Sequence, residues 1–203
     1  MIDQFGLDVS RETMDAFRSY EALVQKWNPA INLVAKSDIH QIWGRHIIDS
    51  VQLFQYAPEK VDKWCDIGSG GGFPGVVMAI IAREKSPDTS FTFIESDQRK
   101  AAFLRTVTRE LDLKVTVSAT RVEDTDPVEA DVLTARALKS LDTLIPFTTR
   151  HLKPSGTAIF PKGKNWTAEI EQAKQNWTFE VDSHRSITDP EARVLVLKEI
   201  SID

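Results

Sequence analysis

The sequence lacks the features on which disulfide-bonded, metal-binding and membrane-spanning proteins depend. Its one cysteine, Cys65, excludes an internal disulfide and fits a reducing cytoplasm. The four histidines are scattered without metal-ligand spacing, so we expect no metal site. The longest apolar run, residues 76–82, is too short to cross a bilayer, and the N-terminus lacks the basic and apolar regions of a secretory signal. We therefore expect a soluble, cytoplasmic protein with no membrane partner.

An excess of positive charge is also missing, since 25 basic residues face 30 acidic ones and the net charge is −5. Proteins that bind nucleic acid by non-specific neutralisation of phosphates are usually basic overall. Either the partner is not a nucleic acid, or binding depends on a local basic face and on shape. The length of 203 residues, with 41% hydrophobic and 27% charged residues, predicts one globular domain with at most a small appendage.

Glycine is concentrated in one stretch of the chain. Residues 61–75 are VDKWCDIGSGGGFPG, with an apolar run before the glycines and the apolar residues 76–82 after them. This order predicts a strand, a glycine turn and a buried helix. Glycine permits positive φ and close approach of a ligand, and a helix N-terminus presents unpaired N–H groups. The stretch predicts a nucleotide-type cofactor loop; a bare turn is disfavoured because clustered glycines lose much chain entropy on folding.

The glycines match two cofactor motifs. Gly70, Gly72 and Gly75 fit the GxGxxG pattern of dinucleotide-binding proteins. Gly68, Gly70 and Gly72 fit the DxGxGxG loop of S-adenosylmethionine (SAM) enzymes, in which Asp66 supplies the acid. We expect Asp66 close to the ligand, where it would repel a pyrophosphate but tolerate the sulfonium and ammonium of SAM. SAM is the expected cofactor, with an NAD-dependent oxidoreductase and a small-molecule SAM methyltransferase as alternatives.

Residues 1–58 predict an N-terminal helical cap. Ser10 can cap a first helix that runs to about residue 26 and ends at Asn28-Pro29. A second helix is expected from about residue 37, with Pro58 closing it.

Residues 59–203 alternate predicted strands and helices, which indicates a parallel sheet covered by helices on both faces. The last two strands, near 179–183 and 194–200, are joined by a polar loop without a helix, so strand 7 should return antiparallel beside strand 6. The predicted fold is α/β, a Rossmann-like class I SAM methyltransferase with a seven-stranded, mostly parallel sheet. Together with the cap it should form one compact unit.

Ligands in such sheets bind beyond the carboxyl ends of the strands. Glu95 follows the second strand and is predicted to bind both ribose hydroxyls. Val122 and Glu123 follow the third strand and could contact adenine, although a solvated acidic turn explains them nearly as well. Arg136 follows the fourth strand and could face the methionine end of the cofactor or a phosphate; the alternative is an arginine paired to a local acid.

Basic residues give a weaker pattern. Arg45 could simply pair with Asp49 one helical turn away, and His46 could be a structural histidine beside the apolar stripe. Lys162 and Lys164 follow the fifth strand on the ligand side of the sheet, where they could contact phosphate or only solvate a loop.

These motifs resemble those of the bacterial small-subunit rRNA guanine-7 methyltransferases, also called the glucose-inhibited division protein B family. Residues 66–75, DIGSGGGFPG, are similar to the glycine loop of that family, and the FPG ending is more specific than the glycines. Two departures are Glu95, where relatives often have Asp, and Pro161 before Lys162. The further matches extend over nearly the whole chain and are Asn32-Leu33-Val34, RHIIDS at 45–50, Glu95-Ser96, Arg99-Lys100, Phe103-Leu104, Arg121-Val122-Glu123, ARA at 135–137 and Lys162-Gly163.

The resemblance implies methylation at nitrogen 7 of a guanine in the decoding-region loop of 16S rRNA. That nitrogen has a free lone pair and no proton, so no general base is required and we assign no catalytic residue. Because the net charge is −5, we expect recognition of a shaped small subunit or precursor particle and not of bare RNA indiscriminately. We also expect a monomer. The predicted cofactor residues are Gly68, Gly70, Phe73, Glu95, Val122, Glu123 and Arg136, and the predicted RNA contacts are Arg45, His46, Lys100, Lys162 and Arg193.

Overall fold

The structure is a computed structural model that describes residues 8–202, so the first seven residues of the predicted cap lie outside the described residues. Helix α1 spans Arg11–Ile31, and the Ser10 side chain accepts a hydrogen bond from the Thr13 N–H, as predicted. The helix continues past its expected end, because Pro29 lies in the last turn and Asn32, at φ 49°, provides the left-handed cap. A proline there removes only one intrahelical hydrogen bond, and burial of Asn28 and Ile31 stabilises the extra turn.

The second predicted helix is replaced by four short turns. They are a 3₁₀ turn at Lys36–Asp38, a π-helical turn at Trp43–Ile48, α2 at Asp49–Val51 and a 3₁₀ turn at Phe54–Tyr56. Ile42 and Ile47 are both fully buried although they are five positions apart, a spacing that a 3.6-residue helix does not place on one face. The wider π turn brings both side chains to the core, and such turns are frequent at functional sites.

A seven-stranded sheet follows, in the order β3-β2-β1-β4-β5-β7-β6. Strand β7 is antiparallel to β5 and β6, and the other neighbouring pairs are parallel. This confirms the predicted fold class and the antiparallel return of the last strand. The strands are β1 Lys63–Ile67, β2 Ser90–Ile94, β3 Val115–Ser118, β4 Ala130–Thr134, β5 Leu152–Lys162, β6 Trp177–Arg185 and β7 Arg193–Ile202, and the helices between them are α3 Gly75–Lys85, α4 Gln98–Glu110, α5 Leu141–His151 and α6 Trp166–Ala173.

The core lies on both faces of the sheet. Because side chains alternate along a strand, Trp64 joins the layer of α1, α3 and α4, whereas Cys65 joins the layer of α5 and α6. Phe17 and Tyr20 of α1 are fully buried in the first layer, and each such side chain contributes about 1.5–3 kcal/mol relative to exposure. Within residues 8–202 no helix combines the length and apolar character needed to cross a bilayer.

Candidate functional site

The glycine loop joins β1 to α3 at the carboxyl edge of the sheet. Gly70 and Gly72 have φ of 55° and 92°, where other residues are strained. A Cβ on Gly72 would lie 2.5 Å from Val76 Cγ2 and 2.7 Å from Tyr20 Oη, so this glycine is enclosed by protein. A Cβ on Gly70 would meet only the Gly68 carbonyl oxygen, at 3.7 Å. Gly70 therefore leaves open space beside the loop for a ligand.

Asp66 is buried beneath this loop and does not line the cavity above it, which corrects its expected position. The residue is 1% exposed, and its Oδ1 accepts a hydrogen bond of 2.7 Å from the Thr134 hydroxyl. Its Oδ2 has no hydrogen-bond partner among the described residues, and burial raises the pKa of Asp66 to about 6. A Cβ on Gly75 would lie 2.6 Å from Oδ2, so Gly75 serves the packing of α3 on this acid. Repulsion between Asp66 and a pyrophosphate is therefore a weaker argument than the sequence indicates.

Glu95 lies at the end of β2, as predicted. It is 8% exposed, and its two carboxylate oxygens accept hydrogen bonds from the Gly70 N–H at 2.7 Å and the Asp97 N–H at 2.8 Å. Asp97 in turn caps α4 by accepting from the N–H groups of Arg99 and Lys100. The Glu95 carboxylate is thus fixed against the loop, with lone pairs left for a further donor.

A cavity of about 750 Å³ lies over the carboxyl ends of the central strands, and we call it the loop cavity. All the predicted cofactor residues line it, together with His46 and Lys100 from the predicted RNA contacts. The cavity is also lined by Leu138, Thr143 and Phe147, which no sequence motif identifies. These three follow Arg136 within one loop and helix, and only the packing of α5 against the cavity identifies them. The predicted cofactor residues that meet here are Gly68, Gly70, Phe73, Glu95, Val122, Glu123 and Arg136.

Val122 and Glu123 are contacted by His151 and Arg121, respectively. The Val122 carbonyl oxygen lies 2.9 Å from Nε2 of the fully buried His151, which therefore carries its proton on Nε2. Burial lowers the pKa of His151, so the ring is neutral at pH 7. Arg121 Nη2 lies 2.8 Å from Glu123 Oε1 at the surface. His151, to which the sequence analysis gives no role, thus fixes the turn that carries Val122.

Arg136 joins the sheet to the N-terminal segment. Its Nη2 donates to His46 Nδ1 at 2.9 Å, its Nη1 lies 3.4 Å from Asp49 Oδ2, and its guanidinium lies 5.2 Å from the centre of the Phe73 ring. The alternative expectation, an arginine paired to an acid, is met in part, because the acid is Asp49, which is 87 residues away in sequence. Arg45 pairs with Asp38 at 2.9 Å, and not with Asp49.

His46 is neutral at pH 7. Burial, with the charge of Arg136 as the next cause, lowers the pKa of His46 to about 4. Its Nδ1 lone pair accepts the hydrogen bond from Arg136, and Nε2 lies 3.5 Å from Asp38 Oδ2. The imidazole also lies 5.1 Å from the Phe73 ring, between centroids. His46 therefore orients Arg136 and has no free lone pair on Nδ1 with which to act as a base.

A second cavity, of about 660 Å³, adjoins the first and shares Arg136, Ala137 and Lys139 with it. We call it the basic cavity, because Arg45, Lys162 and Arg193 also line it. The predicted RNA contacts therefore divide between the two cavities. No group of three or more His, Cys, Asp or Glu side chains is placed to hold a metal ion in the part of the chain that the structure describes.

Lys162 and Arg193 are engaged within the protein. Lys162 is 9% exposed, and its Nζ donates to Glu169 Oε2 at 2.8 Å and to the Lys139 carbonyl at 2.9 Å. Arg193 Nη1 donates to the carbonyls of Pro190 and Ala192, and its guanidinium lies 5.4 Å from the Trp166 ring centre. Both side chains therefore shape the wall of the basic cavity, and the charge of Lys162 is already balanced by an acid.

Comparison with known proteins gives consistent matches over nearly the whole chain. A family profile described as rRNA small subunit methyltransferase G matches residues 13–195. The ribosomal RNA small subunit methyltransferase G of Ruegeria sp. (strain TM1040) is 50% identical, over 96% of this chain and 94% of its own. That of Ruegeria pomeroyi is 49% identical, over 98% and 97%.

Solved structures share the fold at low sequence identity. A cofactor-bound protein from MTB superposes with a TM-score of 0.62 at 15% identity, over 91% of this chain and 90% of its own. A SAM-dependent O-methyltransferase from Thermotoga maritima gives a TM-score of 0.56 at 16% identity, over 79% and 69%.

Proposed function

Because the chain belongs to the rRNA small subunit methyltransferase G family of SAM-dependent methyltransferases, we propose that it methylates nitrogen 7 of a guanine in the decoding-region loop of 16S rRNA. The observation that carries this proposal is the meeting of two cavities at Arg136. One contains the glycine loop and Glu95, and the other is lined by five cationic and three acidic side chains. A cofactor and a polyanionic substrate can therefore approach the same arginine from two sides.

The residues of the loop cavity fit SAM. Gly70 leaves its cavity side open, and the buried Glu95 carboxylate retains acceptor capacity for ribose hydroxyls. Val122 offers an apolar surface and Glu123 a carboxylate to adenine, while Gly68 and Phe73 border the space between them and Arg136. Arg136 would bind the carboxylate of the methionine end. When bound, SAM supplies an electrophilic methyl group.

The chain's own contribution to the reaction is positioning. Guanine nitrogen 7 attacks with an existing lone pair, so no proton has to be removed. In-line transfer instead requires the reacting atoms to be held about 3–3.5 Å apart. The contacts of Arg136 with His46, Asp49 and Phe73 give this side chain one orientation between the two cavities. We therefore assign His46 a positioning role.

The basic cavity is the proposed RNA side. Arg45 is 60% exposed there and is free to turn from Asp38 towards a phosphate, whereas Lys100 lines the loop cavity nearby. Lys162 and Arg193 would act mainly by shaping the wall. A local basic surface on a protein of net charge −5 favours a shaped target, so we propose that the substrate is a small-subunit or precursor particle. We also propose that the protein acts as a monomer in the cytoplasm.

Mapping of the modified nucleotide tests the reaction. Small ribosomal subunits from a strain that lacks the gene are incubated with the purified protein and labelled SAM, and the 16S rRNA is digested and analysed. We expect 7-methylguanine at one position, which is absent from the deletion strain before incubation. Persistence of the modification in that strain would contradict the proposal. Binding of SAM without methylation of any RNA would favour a small-molecule acceptor.

The RNA contact of Arg45 has a matched test. We expect Arg45→Ala to reduce methyl transfer about tenfold, as expected for loss of one charge-assisted contact, and to leave the Kd of SAM unchanged. Arg18→Ala is the control, because Arg18 is 66% exposed on α1 and lines neither cavity. Equal losses of SAM binding and turnover in Arg45→Ala would exclude the RNA-contact role.

A further inference from the structure

The loop between β6 and β7 forms one wall of the basic cavity, to which Ser186, Thr188, Asp189, Pro190 and Ala192 contribute. The side chains of this rim loop (residues 186–192) are mostly exposed, and Ile187 is 43% exposed. An exposed loop of this kind normally loses conformational entropy when it orders around a substrate. In this protein the rim loop is hydrogen-bonded to Asp49 and Gln52, which are distant in the sequence.

Two residues of the N-terminal segment make these hydrogen bonds. The Thr188 hydroxyl donates to Asp49 Oδ1 at 2.7 Å. The Ile187 N–H donates to Gln52 Oε1 at 3.0 Å, and Gln52 Nε2 donates to Ser186 Oγ at 3.2 Å. Gln52 is only 2% exposed, so both ends of its amide are buried and satisfied by the loop. Buried, fully satisfied polar groups of this kind select one arrangement of the segments that they join.

The same carboxylate reaches the arginine shared by both cavities. Asp49 Oδ1 accepts from Thr188 and, at 2.9 Å, from Gln52 Nε2. Asp49 Oδ2 lies 3.4 Å from Arg136 Nη1. With these three donors and 20% side-chain exposure, Asp49 has little capacity left to bind a substrate directly. One carboxylate therefore links the rim loop to Arg136.

We propose that Asp49 is a positioning residue that fixes the rim loop of the basic cavity relative to Arg136, so that RNA held by the loop is in register with the cofactor. The proposal rests on the assignment of the basic cavity to RNA. The physical reason is that methyl transfer requires a narrow range of distances between the reacting atoms. A displacement of about 1 Å between bound partners can reduce the rate about 100-fold. Gln52 fixes the same loop through its backbone and does not touch Arg136 in the described contacts.

Substitutions of Thr188 distinguish the positioning of the rim loop from an effect on cofactor binding. Thr188→Val removes the hydroxyl at nearly constant size, and Thr188→Ser restores it as the matched control. With small subunits as substrate, we expect Thr188→Val to lower kcat/KM for the subunit about tenfold, because the rim loop and the bound RNA are displaced from the cofactor. The Kd of SAM should stay within about twofold of wild type, and Thr188→Ser should restore kcat/KM. A kcat/KM for Thr188→Val equal to that of Thr188→Ser would overturn the proposal.

Asp49→Asn provides the second measurement. It keeps an oxygen for Thr188 but removes the charge that faces Arg136, so kcat/KM for the subunit should fall and the Kd of SAM should rise. A lower Tm with both constants unchanged would indicate a merely structural residue and overturn the proposal. Wild-type protein that methylates no subunit would instead overturn the proposed function, and the role of Asp49 with it. Wild-type methylation with an unaffected Thr188→Val variant would overturn the role of Asp49 alone.

Discussion

Two acids at neighbouring strand ends, Asp66 and Glu95, occupy different environments. In the parallel pairing Asp66 lies opposite Phe93 and Ile67 opposite Ile94, so Glu95 extends one residue beyond the paired strands. Asp66 therefore points into the packing between the loop and α3, whereas Glu95 reaches the loop cavity. Glu95 therefore lies two positions beyond Phe93, the residue opposite Asp66, and this offset separates a buried acid from one that faces the cavity.

Glu95→Gln tests the cavity-facing acid. The substitution places an amide NH₂ against the N–H of Gly70 or Asp97, two donors that cannot bond to each other. We expect the Kd of SAM to rise about 10- to 100-fold, as for loss of a hydrogen bond to a charged group. Asp97→Asn is the control, because Asp97 caps α4 without lining the cavity. Calorimetric titration that gives Glu95→Gln the wild-type Kd would contradict this role.

At the level of elements, the end of α1 determines where the cavity wall begins. The buried Asn28 side chain accepts a hydrogen bond of 2.8 Å from the Val34 N–H, and the Asn32 N–H donates to the Asn28 carbonyl. Leu33, between these contacts, has its carbonyl oxygen 3.0 Å from where a Cβ on Gly71 would lie. The helix end, the cavity wall and the glycine loop are therefore packed directly on one another.

Asn28→Ala should loosen this junction. The Val34 N–H would lose its acceptor in a buried position, which costs about 1–3 kcal/mol of the free energy of unfolding. We expect a lower urea midpoint at unchanged m and a higher Kd of SAM. Asn32→Gly is the control at the same helix end, because glycine adopts the left-handed φ without strain. Equal stability of the two variants would show that the Asn28 side chain is not what holds the junction.

At the level of the whole molecule, residues 8–58 and the sheet share one core. Phe17 and Tyr20 pack in the same cluster as Trp64 and Phe93, and the Tyr20 hydroxyl donates to the Gly71 carbonyl at 2.6 Å. The division into a cap of residues 1–58 and a domain of residues 59–203 stays a prediction. Because they share this core, we propose that both parts fold as one unit. The protonation of the buried Asp66 should then affect the free energy of unfolding of the whole protein.

The pH dependence of unfolding tests that burial. Burial raises the pKa of Asp66 to about 6, so between about pH 4 and 6 the native state binds a proton that the unfolded state has released. The free energy of unfolding should therefore fall as pH rises through this window, by about 3 kcal/mol in all. Asp66→Asn removes this contribution, so its stability relative to wild type should increase from pH 4 to 6 and then stay constant.

Urea unfolding of both proteins at several pH values measures this difference. Glu84 titrates with the opposite sign, because hydrogen bonds, first from the Thr13 hydroxyl, lower its pKa to about 2 and its contribution is lost in acid. That contribution is common to both proteins and cancels in the difference. A difference in the free energy of unfolding that does not change between pH 4 and 7 would contradict the raised pKa of Asp66.

Local patterns in the sequence determined the elements whose residues interact with near neighbours. The cap at Ser10, the glycine turn and the position of Glu95 directly after β2 all follow from the period, propensity or hydrogen bonding of a few adjacent residues. The antiparallel return of β7 beside β6 also follows from the helix-free last connection, whereas the position of β7 between β5 and β6 is a finding of the structure. The predicted cofactor residues share one cavity because strand ends meet at one edge of a parallel sheet.

Only the tertiary structure decided which partners these residues have. The π turn at residues 43–48 depends on the packing of Ile42 and Ile47 into the core. The contact of Asp66 with Thr134 and the contacts of Arg136 with His46 and Asp49 join segments far apart in the chain. Lys162, expected to face phosphate, is instead buried against Glu169. Sequence spacing cannot specify such pairs, because their distance depends on how whole helices and strands pack. The sequence alone thus determined the fold and the family resemblance, and the packing decided which charges face the cavities and which hold their walls.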